Sequence, residues 1–221
     1  MARSKKSEIR GVLFDWDGTL LDSFHADSSA YLAMFSEMEI AWGLEELARA
    51  YSPNWYDVYR AAGLPRHRWE AADSSWRKHY SVHRPKLIFG ARKVLAAVGR
   101  RYRLGLVTSG DRDRVLRQLR EFRLTRLFRA RVCSGDTRHK KPHPGPLRLA
   151  LQSIGLEASH CVYVGDSPED VEMAKRASVR VIGVLGPFPT AERLRAAKPD
   201  LLLNSLEELP AALKQLAPPK R

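Results

Sequence analysis

Short runs of apolar residues recur along the chain at positions 9–14, 104–107, 130–133, 161–164, 179–184 and 201–203. Runs of this length in which apolar residues predominate read as strands buried on both faces, as in a parallel sheet covered by helices. Between them the apolar residues return every three or four positions, which predicts helices over 91–98, 112–122, 146–154, 168–175, 191–196 and 206–216. The alternation predicts an α/β fold with a Rossmann-like parallel sheet and crossover helices. One interval breaks the rhythm. Residues 23–86 are rich in Trp, Tyr and acids and poor in strand-like runs, and they read as a helical insertion after the first strand. Its helices are expected at 26–38, 44–50, 55–62 and 66–79, punctuated by Gly43, Pro53 and the Gly63-Leu64-Pro65 turn. The expected division is a core domain of residues 1–21 and 88–221, with a small helical domain of residues 22–87 set into it. No internal repeat or low-complexity segment occurs, and the ends, Pro218 to Arg221 among them, are expected to fray.

Composition agrees with a folded chain: of 221 residues, 44% are apolar and 29% charged, enough apolar surface to offset ordering entropy. No run of about 18 apolar residues is present, and the opening MARSKKSEIR lacks the apolar stretch of a signal peptide. A cytoplasmic chain with no membrane partner is the expectation. Cys133 and Cys161 lie beside valines in strand-like runs and are expected as buried, reduced thiols.

The formal charge of +13 is concentrated between residues 92 and 148, where 17 Lys and Arg face four acids. Arg112, Arg114, Arg117, Arg120 and Arg123 recur along one predicted helix, which raises a nucleic-acid face as one reading. The other reading is an ordinary solvated helix face. Val115, Leu116, Leu119 and Phe122 form the buried stripe, and the arginines, Arg114 among them, take the remaining positions. No aromatic residues interleave to stack bases, so a nucleic-acid partner is not expected.

Candidate chemistry sits where strands end. The first strand breaks into Asp15-Trp16-Asp17-Gly18-Thr19-Leu20, two carboxylates two residues apart at the position where open α/β sheets hold ligands. Carboxylates that close repel unless a cation or a shared proton holds them. The next strand ends in Thr108-Ser109-Gly110-Asp111, hydroxyls and a glycine that suit an anion as well as a helix cap. Lys141 follows on a proline-framed loop, Lys140-Lys141-Pro142-His143-Pro144. The fourth strand leads into Gly165-Asp166-Ser167-Pro168-Glu169-Asp170, which offers hard oxygen ligands for an ion such as Mg²⁺ or the capped start of a helix.

Taken together, these four strand ends resemble the haloacid dehalogenase superfamily of aspartate-nucleophile hydrolases, over residues 9 to about 184. The family's hhhhDxDGTL motif is matched from Val12 to Leu20, its second motif by Thr108, its third by Lys141, and GDxxxD by Gly165, Asp166 and Asp170. The helical insertion corresponds to the family's small cap domain of the first class, and the whole is phosphoglycolate phosphatase-like. The resemblance implies Asp15 as nucleophile and Asp17 as general acid, then base, which requires Asp17 to be protonated when the ester arrives. It implies Mg²⁺ held by Asp15, the backbone carbonyl of Asp17, and Asp166, with Asp170 either completing the ion's water shell or orienting Lys141. Thr108, Ser109 and Gly18, the latter two through backbone N–H groups, and Lys141 would hold the phosphoryl oxygens. Asp17 favours a phosphatase or phosphomutase over a dehalogenase, because an alkoxide leaving group needs a proton and a halide does not.

The implied activity is Mg²⁺-dependent hydrolysis of a small phosphorylated metabolite, phosphoglycolate-like or a sugar phosphate, by a monomer or dimer. A phosphomutase and an arginine-rich nucleic-acid binder on an idle fold are the alternatives. Substrate choice is expected to rest with the cap, where His25, Arg66 and Arg68 are candidates to meet the leaving group, and Trp42, Trp55, Trp69 and Trp76 are expected as its small core. Ser178 stands after the GDxxxD helix where a glycine is frequent in the family, a substitution that touches helix termination.

Overall fold

The computed structural model describes residues 8–216. Six strands form a parallel sheet: β1 (Gly11–Phe14), β4 (Arg103–Asp111), β5 (Phe128–Ser134), β6 (Cys161–Gly165), β7 (Arg180–Val184) and β8 (Leu201–Leu203), in the order β5-β4-β1-β6-β7-β8. The chain moves from β1 outward to β4 and β5 and then crosses to β6 on the other side, so strand order reverses at β1. A crevice at such a switch point, beyond the carboxyl ends of the strands, is where this architecture binds ligands. All four residues of β1 are buried, as an apolar run without alternation demands.

Side chains of β1 alternate between two cores. Val12 and Phe14 pack with α5 (Ala91–Gly99), α6 (Arg112–Glu121) and α10 (Leu209–Leu216), while Leu13 packs with α7 (Gly145–Ile154), α8 (Pro168–Arg176) and α9 (Ala191–Ala196). These are the expected crossover helices: the bounds of α9 coincide with expectation, α5 to α8 differ by one residue at one end, and α10 begins three residues late because residues 206–208 form a 3₁₀ turn. Both cysteines are buried and free, as expected. The fraying expected at the ends falls outside the described residues.

Between β1 and β4 the chain builds a separate helical body from α1 (Phe24–Glu37), α2 (Leu44–Ala50), α3 (Trp55–Ala61) and α4 (Trp69–Tyr80). Its buried core is Tyr31, Met34, Phe35, Leu47, Val58 and Tyr59, with Trp42, Trp55, Trp69 and Trp76 packed partly buried against it. The chain leaves and returns through β2 (Leu21–Asp22) and β3 (Lys86–Leu87), an antiparallel pair too short to show any period in the sequence.

Ser178, directly after α8, sits at φ +57°, the left-handed conformation a helix C-terminus often needs. A side chain costs about 1 kcal/mol there. Ser178→Gly is therefore expected to stabilise the fold by about that amount in urea denaturation, with turnover unchanged.

Candidate active site

Asp15 leaves the end of β1 buried between β4 and β6, its N–H bonded to the Val164 carbonyl. Lys141, from the loop before α7, donates to Asp15 Oδ1 at 2.5 Å and to Asp170 Oδ1 at 2.7 Å. Burial opposes a charge on this lysine, but the two carboxylates hold its pKa above the ordinary value. Asp170 is spoken for on both oxygens. The Tyr163 hydroxyl donates to Oδ1 at 3.0 Å, and the N–H and hydroxyl of Ser167 donate to Oδ2 at 3.2 and 2.8 Å. Of the two roles open to Asp170 in the sequence, this geometry favours orienting Lys141.

Asp166 directly follows β6 and, among the described residues, has a single side-chain donor, the Thr19 hydroxyl at 3.0 Å. One carboxylate oxygen each of Asp15, Asp166 and Asp170 lies within 4.8 Å of the others. Burial pushes Asp15 up, with Lys141 opposing and Asp170 adding, and burial with the charges of Asp15 and Asp170 pushes Asp166 up as well. An all-oxygen set of buried carboxylates short of positive charge suits a hard divalent cation. The backbone leaves room beside it: Gly18, at φ +85°, faces Asp166, and a Cβ there would stand 2.2 Å from Asp166 Oδ2.

Asp17 has a partner the sequence conceals. Arg114 donates to both of its oxygens, at 2.9 and 2.7 Å, and Ser23 adds a hydroxyl at 2.8 Å. Burial works against ionisation here, but the Arg114 guanidinium holds the Asp17 carboxyl below its ordinary value. The expected protonated Asp17 is thus not the state this arrangement favours. Nor does Arg114 lie on the solvated face: it shares the buried side of α6 with Val115, Gln118 and Leu119, whereas Arg112, Arg117 and Arg120 are exposed. Its guanidinium also donates to the Tyr80 hydroxyl at 3.2 Å and stacks 4.8 Å from that ring, tying α6 to α4.

The hydroxyl loop continues along β4 with an irregular register against β5 before Asp111 caps α6 through the Arg114 N–H. Thr108 Oγ1 accepts from the Gly110 N–H at 3.0 Å, and Ser109 Oγ is buried without a partner. The backbone N–H of Gly18, expected to face phosphate, instead donates to the Leu21 carbonyl at 2.8 Å, because the chain turns back on itself there.

These groups floor a cavity of about 200 Å³ whose opposite wall comes from α1, α3, α4 and the chain between α2 and α3. Asp15, Asp17, Thr108, Ser109 and Asp166 all line it. Of the expected leaving-group residues, none does. His25 is exposed and meets His83 edge to face, Arg66 is exposed over the Trp69 ring, and Arg68 donates to the Met38 carbonyl. Asp27, Tyr31, Tyr51, Trp55, Trp76 and Arg77 stand in the wall instead. Asp27 and Tyr31, four apart on one helix, carried the only sequence signal, a carboxylate one turn before an aromatic on an otherwise apolar face. The wall is fastened to the core by Ser52 donating to Glu169 at 3.2 Å, Tyr51 against Phe188 at 4.8 Å and the Lys140 ammonium 3.3 Å over the Trp55 ring.

A family model described as haloacid dehalogenase-like hydrolase matches residues 12–184. A protein named pyrophosphatase PpaX from Bacillus velezensis is 29% identical over 208 residues, 91% of this chain and 94% of that protein. Its namesake from Halalkalibacterium halodurans is 28% identical over 209 residues, 91% and 95% of the two chains. Among solved structures, a predicted phosphoglycolate phosphatase from Haemophilus somnus superposes with a TM-score of 0.82 at 19% identity, over 93% of this chain and 98% of that one. CbbY from Rhodobacter sphaeroides, solved with phosphate, superposes at 0.80 with 23% identity, over 93% and 99%.

Proposed function

Because the chain belongs to the haloacid dehalogenase-like hydrolases, we propose that it is a Mg²⁺-dependent phosphatase acting on a small phosphomonoester through a phosphoryl group carried on Asp15. The observation that carries this reading is the Asp15 carboxylate, held by Lys141 at 2.5 Å on the floor of a cavity and flanked by Asp166. Residues 22–87 serve as the cap over that floor.

Attack by Asp15 on phosphorus forms an acyl phosphate and releases the alcohol, so one difficult displacement becomes two easier ones. Lys141 fixes the attacking carboxylate and offsets the charge gathered there, and Asp170 aims Lys141. Thr108 and Ser109 present hydroxyls to the phosphoryl oxygens. Asp17 serves the leaving oxygen as acid and the attacking water as base; donating a proton requires Arg114 to give way first. Asp15, Asp166 and the Asp17 carbonyl would hold Mg²⁺, which supplies charge neutralisation at the phosphoryl oxygens. The enclosing wall keeps other water out.

The relatives named pyrophosphatase make pyrophosphate a second candidate substrate, and phosphate release from pyrophosphate beside that from phosphomonoesters separates the two. Turnover of p-nitrophenyl phosphate is expected to stop with EDTA and return with Mg²⁺. Hydrolysis at full rate in EDTA would overturn the ligand set.

A further inference from the structure

A second cavity, of about 220 Å³, opens between the chain that returns from α4 to β3 and the C-terminal half of α6. Its lining shares no residue with the catalytic cavity. Arg84 and Lys86 line it from the returning chain and Arg117 from α6, against one acid, Glu121. Among the described residues Lys86 and Arg117 make no hydrogen bond or ion pair, with Glu121 or any other group. Arg84 spends only Nη1, on the carbonyls of Ser81 and His83 at 2.7 and 2.9 Å, which holds the guanidinium on its own turn and leaves Nε and Nη2 without partners there. Cations gathered round one hollow repel each other, and an anion placed among them relieves the repulsion.

Three cations against one acid leave a surplus of two positive charges. A phosphate or phosphoryl dianion matches that surplus, and a carboxylate meets half of it. The three side chains are exposed, so solvent screens them and a doubly charged ligand gains where a singly charged one gains little. Guanidinium forks and an ammonium also suit a tetrahedral oxyanion. The space is close to the roughly 200 Å³ of the catalytic cavity, room for phosphate or a small phosphorylated metabolite.

The back of this pocket reaches the catalytic machinery. Tyr80 and Gln118 stand in its lining, both buried, and the Gln118 amide donates to the Tyr80 hydroxyl at 3.4 Å. Arg114, in the lining of the other cavity, donates to both, at 3.2 and 3.4 Å, while it holds Asp17. We propose that the pocket binds a small tetrahedral oxyanion, free phosphate or a phosphorylated metabolite, and that the bound anion fastens the returning chain to α6, keeping Tyr80 over Arg114 and Arg114 on Asp17. Turnover is then slowed, because Asp17 needs Arg114 to give way; this effect rests on the phosphatase reading, whereas binding does not.

Binding is read by titrating inorganic phosphate, in EDTA, into isotope-labelled protein and following the backbone amide resonances of residues 81–86 and 117–122. Saturable shifts are expected there, and Arg117→Glu is expected to weaken them at least about tenfold, the loss of one charge-assisted contact. Glycerol phosphate beside free phosphate tells which source binds more tightly. No shift near the pocket, an equal effect of chloride at matched ionic strength, or unchanged binding in folded Arg117→Glu and Lys86→Ala overturns the site. With saturating p-nitrophenyl phosphate and Mg²⁺, added phosphate is expected to lower kcat at least about twofold in the wild type, where competition at the catalytic cavity would raise KM alone. Arg117→Glu is expected to keep the phosphate-free kcat and lose the decrease. Binding with kcat unmoved, in protein that turns over the ester, overturns the restraint alone. If no ester is hydrolysed, the restraint falls with the phosphatase reading, and the resonance shifts still decide the site.

Discussion

Replacing Asp15 with asparagine is expected to cut turnover of p-nitrophenyl phosphate by at least about four orders of magnitude, because an amide cannot take the phosphoryl group. The melting temperature is expected to stay level or rise. Asp15 is one of three carboxylates whose oxygens come within 4.8 Å of one another, and its loss leaves Lys141 still paired with Asp170 at 2.7 Å. Removing a crowded charge at a site built for function is a common route to added stability. Thermal unfolding and phosphate release on the same preparation check both parts. Near wild-type turnover would remove Asp15 as nucleophile, while a large drop in melting temperature would mean that the Asp15–Lys141 pair holds the fold.

Arg114→Met is expected to act in the opposite sense on stability. The change strands the Asp17 carboxylate in a largely buried position, and breaking such a pair costs about 3 kcal/mol. It also frees Tyr80 and Gln118 from their shared donor, loosening α4 over the cavity. Turnover is expected to fall about 10²-fold from misplacement of Asp17 and the cap wall. Adding Asp17→Asn to this variant is expected to recover most of the lost stability in urea denaturation without recovering turnover. A double variant no more stable than Arg114→Met would show that the arginine stabilises the fold through Tyr80 and the aromatic rings, and not through Asp17.

Arg114 also marks where sequence reading stops. Asp15 and Asp166 are readable because each closes an apolar run, and buried parallel strands have no other reason to end in a carboxylate. Lys141 is readable only in company with them. The six strands and the helices between them follow from the switch between unbroken and helical apolar periods. Arg114 is hidden because four neighbouring arginines, spaced along the same segment, make it look like one more solvated cation. The clue is Gln118, a second polar residue four positions on, which continues the buried face and accepts from the Trp16 indole at 2.9 Å. Asp27 is hidden for a different reason. A carboxylate in the first turn of a helix already has an explanation in the helix dipole, and only the position of α1 over the cavity gives it another. His25, Arg66 and Arg68 lie away from the cavity lining, because nearness in sequence to the first motif, or to a turn, says nothing about which side of a helical body faces the core. The β2–β3 pair leaves no trace in the sequence, since two-residue strands have no period.

The covalent step itself is open to direct observation. Wild-type protein mixed with p-nitrophenyl phosphate and Mg²⁺, quenched in acid within the first turnovers, and reduced with borohydride should show conversion of Asp15 to homoserine on peptide mass mapping. Reduction only at another acid, or at none while phosphate is being released, would contradict a phosphoryl group carried on Asp15.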